Sequence, residues 1–170
     1  MGRLIEGRWS TEWYSPDEEG RFQREATRFR DRIVSDGSTP YAPDAGRYHL
    51  YVSYACPWAH RTLVVRALRG LERAVSVSVV HPIMTADGWG FDADHPDAVG
   101  RKPFLRDVYL AAQPGYTGRV TVPVLWDKLI RVNYSCRSAT TIPAGRGLVD
   151  AVRGDLAVGV FDHGPADRSP

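Results

Sequence analysis

The feature that most constrains the fold is a change of hydrophobic period at Cys56, where a strand pattern becomes a helix pattern. Before this residue, apolar side chains recur at every second position, as a sheet requires, at Tyr48, Leu50 and Val52. After it the spacing is helical, with one apolar stripe at Leu63, Val64, Ala67, Leu68 and Leu71. Gly70 lies near the end of this stripe, where glycine commonly ends a helix. The pattern predicts a buried strand that leads directly into a helix, with a cysteine at the junction.

A cysteine at such a junction is a candidate nucleophile. Pro57 suits the first helical turn, which needs no backbone N–H, so Cys56 would lie beside the partial positive charge of a helix N-terminus. His60 and Arg61 would add positive potential, and this environment favours the thiolate. The alternative is a buried structural thiol, because free cysteine is among the most buried residue types. Ala59 stands where a thioredoxin-like dithiol has its second cysteine, so we expect monothiol chemistry completed by an external thiol.

The composition is that of a globular protein, and it argues against several classes of partner. The chain's 170 residues, 43% of them hydrophobic and 25% charged, are enough for one domain with a real core. Two cysteines are no disulfide framework, so we expect a cytoplasmic protein, and no apolar run is long enough for a bilayer span or a signal peptide. A net charge of +2 gives no footprint for nucleic acid, and Cys56 and His60 have no second Cys or His pair with zinc spacing. We therefore expect no membrane, nucleic acid or metal among its partners.

The rest of the chain divides into a leader, a core and a tail. Residues 1–46 are expected to form an irregular leader that contains one short helix. Residues 75–80 alternate and are rich in valine, which predicts a second strand. Strand, helix and strand at this spacing form a βαβ unit with parallel strands and a right-handed crossover. The remaining predicted elements are a long loop over 81–103, a helix over 104–110 and a strand over 120–126.

Two positions in the second half of the core could face a ligand. Trp89 lies between two glycines in the long loop, which suits either a ring presented to a ligand or an aromatic lid over the core. Pro123 cannot donate to a ladder, so it marks an edge strand, a bulge or a cis peptide. A cis-proline that begins a strand beside a strand-to-helix cysteine faces that thiol, and the Val122 backbone could then pair with an extended ligand. An edge-strand proline without a ligand is the alternative.

Four stretches of the chain closely resemble one known family. They are residues 48–63, 78–82, 87–89 and 116–128, within a similarity that spans roughly residues 10–128. The family is that of the glutathionyl-hydroquinone reductases, the Xi class of glutathione transferases. Within the glutathione transferase superfamily, the string Cys56-Pro57-Trp58-Ala59-His60-Arg61 is specific. The resemblance implies an α/β fold, with a thioredoxin-like glutathione-binding domain over 47–128 made of a βαβ unit and part of a ββα unit. In the family an all-helical domain follows, and the protein is usually a homodimer.

The resemblance also implies a reaction and the residues that carry it. The catalytic cysteine of the family, matched by Cys56, attacks the glutathione sulfur of a glutathionyl-hydroquinone and releases the hydroquinone. A second glutathione then removes the first from the cysteine, so glutathione is the co-substrate. The residues that match Trp89 and Val122, with Pro123 beside the latter, hold glutathione. Arg119 lies in the matching motif and could meet a glutathione carboxylate, or it could be a turn arginine in an ordinary surface ion pair.

The resemblance is expected to stop at Lys128, leaving residues 129–170 as a separate tail. The family continues there with a fourth strand and a Glu-Ser pair that binds glutathione, whereas this tail contains no Glu, Lys or Trp. We expect the tail to be disordered or read out of frame, the helical domain to be missing, and an apolar face to be exposed as a result. Two alternatives to the family activity therefore stay open. One is a non-catalytic thioredoxin-fold remnant that binds glutathione, and the other is a glutaredoxin-like or dehydroascorbate-reductase-like monothiol enzyme.

Overall fold

The computed structural model of the chain describes residues 2–12, 19 and 33–130, together with the backbone of 132–135. In chain order the elements are β1 (Arg3–Ile5), β2 (Arg8–Ser10), β3 (Tyr48–Val52), α1 (Pro57–Leu68), β4 (Val75–Val79), α2 (Leu105–Ala112), β5 (Gly118–Arg119), β6 (Val124–Asp127) and β7 (Val132–Ser135). One sheet has four strands in the order β4-β3-β6-β7, and a second has three in the order β2-β1-β5. Neither helix in this part of the chain is long and apolar enough to cross a membrane.

The four-stranded sheet is built around β3, all five residues of which are buried. Strand β3 runs parallel to β4, with Tyr48 opposite Val75 and Val52 opposite Val79. Strand β6 pairs antiparallel with the other edge of β3, and β7 pairs antiparallel with β6. Because α1 connects the two parallel strands, the βαβ unit that the sequence predicts is confirmed. The mixed sheet is the thioredoxin-like arrangement expected from the resemblance.

Two hydrophobic clusters lie on the two faces of this sheet, because the side chains of β3 alternate between them. The first cluster contains Tyr48, Leu50 and Val52 of β3 together with Ala59 of α1. The second contains Tyr51 of β3 together with Leu105, Val108 and Tyr109 of α2. Helix α1 therefore packs on one face of the sheet and α2 on the other. Cys56 contacts both clusters, which places the thiol where the two faces meet.

The predicted apolar stripe is buried only in part, because Leu63 and Leu71 pack in the first cluster while other members are exposed. Ala59 and Thr62 are the buried residues of α1, whereas Val64 is 40% exposed and Leu68 is 74% exposed. The helix is apolar on two sides, so hydrophobic spacing alone did not identify the side that packs on the sheet. Its end is as predicted, because Gly70 follows with a φ of 61° and donates its N–H to the helix.

The leader is not irregular throughout, because β1 and β2 form a hairpin. Its two-residue turn is Glu6 and Gly7, whose φ values of 48° and 80° are the positive angles that such a turn favours. Strand β1 pairs in turn with β5, with Leu4 opposite Gly118, and Leu4 is fully buried in the second cluster. The prediction of an irregular segment over residues 1–46 is wrong for this hairpin. The short helix predicted in the leader lies outside the described residues.

The end of the sheet also differs from the sequence prediction. The strand predicted over 120–126 is paired only from Val124, where β6 begins after the proline. Before it, pairing is confined to the two residues of β5. Strand β7 then pairs with β6, with Val124 opposite Ser135. The sheet therefore continues past Lys128, where the sequence predicts the domain to end. The remainder of the predicted tail, residues 136–170, lies outside the described residues.

A buried ion pair fixes the end of β6. The Arg47 Nε donates to Asp127 at 2.8 Å, and the Arg47 Nη1 donates to Asp44 at 3.1 Å. The second oxygen of Asp127 accepts the N–H groups of Leu129 at 2.8 Å and Ile130 at 3.3 Å. The hydrogen bond to Asp127 raises the pKa of Arg47. Because Asp127 is fully buried, its charge depends on these partners, and the pair connects the start of β3 to the turn after β6.

Candidate active site

Cys56 lies at the N-cap of α1, where the extended strand ends and the helix begins. Its φ of −102° and ψ of 114° are extended, and its N–H donates to the Ser53 carbonyl at 3.1 Å. Its own carbonyl accepts the N–H of His60 at 3.0 Å, and Pro57 occupies the first helical position. No side-chain hydrogen bond caps the helix. The thiol therefore lies beside N–H groups that no capping side chain occupies, as the strand-to-helix pattern predicts.

The Cys56 Sγ faces the backbone that precedes β6. The Sγ donates to the Val122 carbonyl oxygen over 3.7 Å, and the Val122–Pro123 peptide bond is cis. Val122 lies between the last residue of β5 and the first residue of β6, so it belongs to neither paired strand. Cys56 is half-buried. The structure thus brings together three of the predicted site residues, Cys56, Val122 and Pro123.

Two basic side chains flank the start of α1, as predicted, and both are exposed. His60 and Arg61 lie in the first turns of the helix, and the Arg61 guanidinium packs over the Trp58 ring at 4.4 Å from its centroid. Trp58 itself is 45% exposed. A cation held over an aromatic face has a restricted position, which keeps the charge of Arg61 near the N-terminal end of the helix.

Trp89 lies against the second cluster, the same cluster that Cys56 contacts. Its side chain is half-buried, so it packs on the core with one part and remains open with the other. Its carbonyl oxygen accepts the N–H of Leu105, the first residue of α2, at 2.9 Å. The next residue, Gly90, forms a bridge with Phe104. The loop that carries Trp89 is therefore attached to the start of α2.

Arg119 lies in a strand, unlike the other predicted site residues. It is the second residue of β5 and pairs with Arg3 of β1, so it belongs to a strand and not to a turn. Its carbonyl oxygen accepts the Tyr116 hydroxyl at 3.2 Å, and its side chain is half-buried. Only three residues separate it from Pro123 along the chain.

Asp97 is a buried residue whose importance the sequence did not reveal. Its carboxylate accepts the Tyr51 hydroxyl at 2.9 Å and the N–H groups of Val99, Gly100 and Lys102 at 3.0–3.1 Å. Burial opposes the charge, but the backbone hydrogen bonds and the one from Tyr51 outweigh it and lower the pKa of Asp97. The only available signal was a glycine three residues after an aspartate, which is typical of a turn. Asp97 fixes the long loop to β3.

These elements define a class of protein. A cysteine at the start of the helix of a βαβ unit, facing a cis-proline before the antiparallel strand, is the arrangement of thioredoxin-like thiol proteins. The chain belongs to the glutathione S-transferase family, because the model of the glutathione S-transferase N-terminal domain matches residues 55–139. The matched residues include Cys56 and Trp89 and continue beyond Lys128 through β7.

Two relatives give the comparison more detail. The glutathionyl-hydroquinone reductase YqjG of Escherichia coli K12 is 47% identical over 163 residues, which cover 89% of this chain and 50% of YqjG. The glutathionyl-hydroquinone reductase PcpF of Sphingobium chlorophenolicum is 46% identical over 174 residues, which cover 100% of this chain and 53% of PcpF. The chain thus spans about half the length of these relatives.

Solved structures agree with the sequence relatives. The Xi class glutathione transferase from Natrialba magadii has a TM-score of 0.80 at 41% identity, covering 96% of this chain and 50% of that one. The glutathione-bound structure of YqjG from Escherichia coli has a TM-score of 0.67 at 42% identity, covering 82% of this chain and 43% of that one. The resemblance to Xi class glutathione transferases and the thioredoxin-like fold that it implies are therefore confirmed.

Proposed function

We propose that Cys56 is the nucleophile of a glutathione-dependent enzyme that reduces glutathionyl-hydroquinones to hydroquinones. The observation that carries this proposal is the position of the Cys56 Sγ, at the N-terminus of α1 and 3.7 Å from the carbonyl oxygen of Val122. A helix N-terminus stabilises a negative sulfur. Two relatives at 46–47% identity, YqjG and PcpF, are named for this activity, which supports the choice of substrate.

The proposed reaction has two steps. In the first, the Cys56 thiolate attacks the glutathione sulfur of the substrate, so that a sulfur–sulfur bond forms and the bond between sulfur and the aromatic carbon breaks. The aromatic carbon keeps the electron pair and takes up a proton, and the hydroquinone leaves. In the second, the thiolate of another glutathione attacks the mixed disulfide, which releases glutathione disulfide and restores Cys56. The aromatic carbon gains two electrons, and the two glutathione sulfurs lose them.

Glutathione would bind in an extended form beside Cys56. The backbone of Val122 lies outside both neighbouring strands, so it can pair with a peptide-like ligand as an added strand, with Pro123 next to it. The half-buried ring of Trp89 offers an aromatic surface that contacts the same cluster as the thiol. We also propose Arg119 as a partner for a glutathione carboxylate, because a guanidinium pairs well with that group.

Two finer expectations accompany this proposal. We place the protein in the cytoplasm, since its two cysteines form no disulfide framework and free thiols persist in a reducing compartment. We also propose that it forms a homodimer, as is usual in the family. A sedimentation experiment on the purified chain at several concentrations tests the second expectation, and a single monomeric species at all of them would count against it.

A second candidate function is thiol–disulfide exchange of the glutaredoxin type, without an aromatic substrate. This candidate rests on the single cysteine at the start of α1. Ala59 stands where a dithiol enzyme would have its second cysteine, and exchange at Cys56 through an external thiol needs no aromatic substrate. If the chain binds glutathione but turns over no substrate, it is instead a non-catalytic thioredoxin-fold remnant.

Mass spectrometry of the intact chain separates these possibilities. The chain is incubated with glutathione disulfide and then with excess glutathione, and the Cys136→Ser variant serves as the control that keeps only one thiol. We expect one glutathione to attach to Cys56, to disappear on reduction, and to be absent from Cys56→Ser. A glutathionyl-hydroquinone is then supplied with glutathione, and release of the hydroquinone distinguishes the reductase from simple exchange. Failure of Cys56 to form any adduct would refute both enzymatic candidates.

A further inference from the structure

The N-terminal hairpin is fixed to the core near the proposed glutathione site. Strand β1 pairs with β5, which shortly precedes Val122, and the Gly7 N–H donates to the Tyr116 carbonyl at 3.0 Å. The Glu6 N–H donates to the Thr117 hydroxyl at 2.8 Å. The hairpin therefore has a set position relative to the second cluster. Its second strand, β2, carries one aromatic side chain, that of Trp9.

Trp9 packs on the turn that immediately precedes Trp89. Its indole Nε1 donates to the Ala86 carbonyl oxygen at 3.1 Å. Its ring lies flat against Gly88, so closely that a methyl group added there would approach the indole carbons to 3.0–3.1 Å. Gly88 has a φ of 87° and exchanges backbone hydrogen bonds with Thr85 at 3.1 and 3.2 Å. The turn therefore requires glycine for two reasons, its backbone angle and the close approach of the indole.

Arg106 of α2 holds the same turn from another direction. Its Nη1 donates to the Asp87 carbonyl oxygen at 2.6 Å and to the Asp87 carboxylate at 3.1 Å. Its guanidinium lies 5.1 Å from the centroid of the Trp9 ring and 4.1 Å from that of Phe104. Trp9, Arg106 and the turn 85–88 thus form one contact network, which we call the turn clamp.

Trp89 is the first residue after this turn, and it is also fixed on its other side. Its carbonyl oxygen accepts the N–H of Leu105, the residue before Arg106. The backbone of Trp89 therefore lies between the turn clamp and the start of α2. Because the ring is only half-buried, the backbone attachment on both sides determines how far it projects from the second cluster.

We propose that Trp9 and Arg106 are positioning residues for glutathione binding, which makes the N-terminal hairpin part of the binding machinery. This inference rests on the proposed function, in which Trp89 contacts glutathione. Neither residue touches the reacting sulfur in this proposal. Loss of the turn clamp should therefore weaken the binding of glutathione disulfide while leaving the intrinsic reactivity of Cys56 unchanged.

The test measures the rate of glutathione attachment to Cys56 against the concentration of glutathione disulfide, on the whole chain. In this step the thiolate attacks one sulfur of the disulfide, the sulfur–sulfur bond breaks and one glutathione thiolate leaves. Trp9→Ala and Arg106→Gln should raise the half-saturating concentration about three- to tenfold, the range for the loss of one hydrogen bond, with the maximal rate unchanged. Trp9→Phe keeps the ring but not the hydrogen bond, so it should give a smaller rise. Arg8→Ala, an exposed residue of the same strand, is the matched control.

Two further measurements keep the outcomes distinct. The rate of alkylation by iodoacetamide reports Cys56 reactivity without glutathione binding, and it should be equal in all variants. A role limited to stability would lower the melting temperature but leave the half-saturating concentration unchanged, and that result would overturn the proposal. Trp89→Ala tests the premise. If it weakens binding while both clamp variants do not, the turn clamp is refuted and the proposed function stands. If none of the three weakens binding, the inference and the assigned role of Trp89 both fail.

Discussion

Replacing His49 with a residue that cannot take up a proton should flatten the pH dependence of folding stability. His49 lies on β3 and is fully buried. Its Nδ1 lies 2.7 Å from the Ser76 hydroxyl, and its Nε2 is buried with no hydrogen-bond partner in the part of the chain that the structure describes. The ring also packs edge-on against Tyr51, with 4.7 Å between centroids. Burial disfavours the imidazolium and lowers the pKa of His49 to about 4.

The direction and size of the effect follow from proton linkage. The ordinary pKa of histidine is 6.5, so the unfolded chain takes up a proton below that pH while folded His49 stays neutral until about pH 4. The unfolded state therefore binds more protons in this window, and the free energy of unfolding falls as the pH drops. A pKa difference of roughly 2.5 corresponds to about 3 kcal/mol lost between pH 7 and 4, and roughly 2 kcal/mol of it is lost by pH 5.

Urea unfolding at pH 7.5, 6 and 5 measures this slope. His49→Asn keeps a polar atom for Ser76 but cannot be protonated, so its free energy of unfolding should fall by about 2 kcal/mol less than that of the unsubstituted chain across the range. His81→Asn is the matched control, because the His81 side chain is 38% exposed whereas His49 is fully buried. Parallel slopes for the unsubstituted chain and His49→Asn would refute the reasoning.

Three further substitutions test other contacts in the fold. Asp127→Ala leaves the buried Arg47 guanidinium without its main partner and should cost about 3–5 kcal/mol in urea unfolding. Tyr51→Phe removes the hydroxyl that donates to buried Asp97 and should cost about 1–3 kcal/mol by the same measurement. Gly88→Ala meets both a φ of 87° and the indole that packs on it, so it should lower the melting temperature and weaken glutathione attachment to Cys56.

Each of these has a result that contradicts it. An Asp127→Ala chain within about 1 kcal/mol of the original would mean that water reaches the ion pair. No loss in Tyr51→Phe would mean that the backbone N–H groups satisfy Asp97 without the hydroxyl. Normal glutathione attachment in a folded Gly88→Ala chain would show that the turn tolerates a shift without moving the binding residues.

The central βαβ unit could be predicted from the sequence because its signals are local. The alternation of β3, the helical spacing after Cys56 and the valines of β4 all lie within about 30 residues. The cis-proline before β6 and the cysteine that faces it could also be predicted, because a proline within a strand pattern and a cysteine before a helix each occur in few structural settings. The family resemblance added the thioredoxin-like fold class, which the comparisons confirm.

What could not be predicted depends on contacts between distant parts of the chain. Strands β1 and β2 have three residues each, too few for a periodic pattern, and β1 finds its partner only in β5. The exposed side of α1 also carries apolar residues, among them Val64 and Leu68, so hydrophobic spacing alone did not identify the buried side. Asp97 resembled a solvated loop residue because its partner, Tyr51, precedes it by 46 positions. The contacts of Trp9 with the turn before Trp89 escaped detection for the same reason.

The pairing of β1 with β5 has a consequence for how the chain folds during its synthesis on the ribosome. Glu6 and Thr117, which are hydrogen-bonded in the fold, are separated by 111 positions. At a synthesis rate of about 5–20 residues per second, the first strand waits roughly 6–20 s before its partner even exists. During that delay Leu4, which is fully buried in the folded protein, remains exposed on the nascent chain. The contacts between β1 and β5 therefore form long after β1 is translated, which gives chaperones a defined interval in which to protect Leu4.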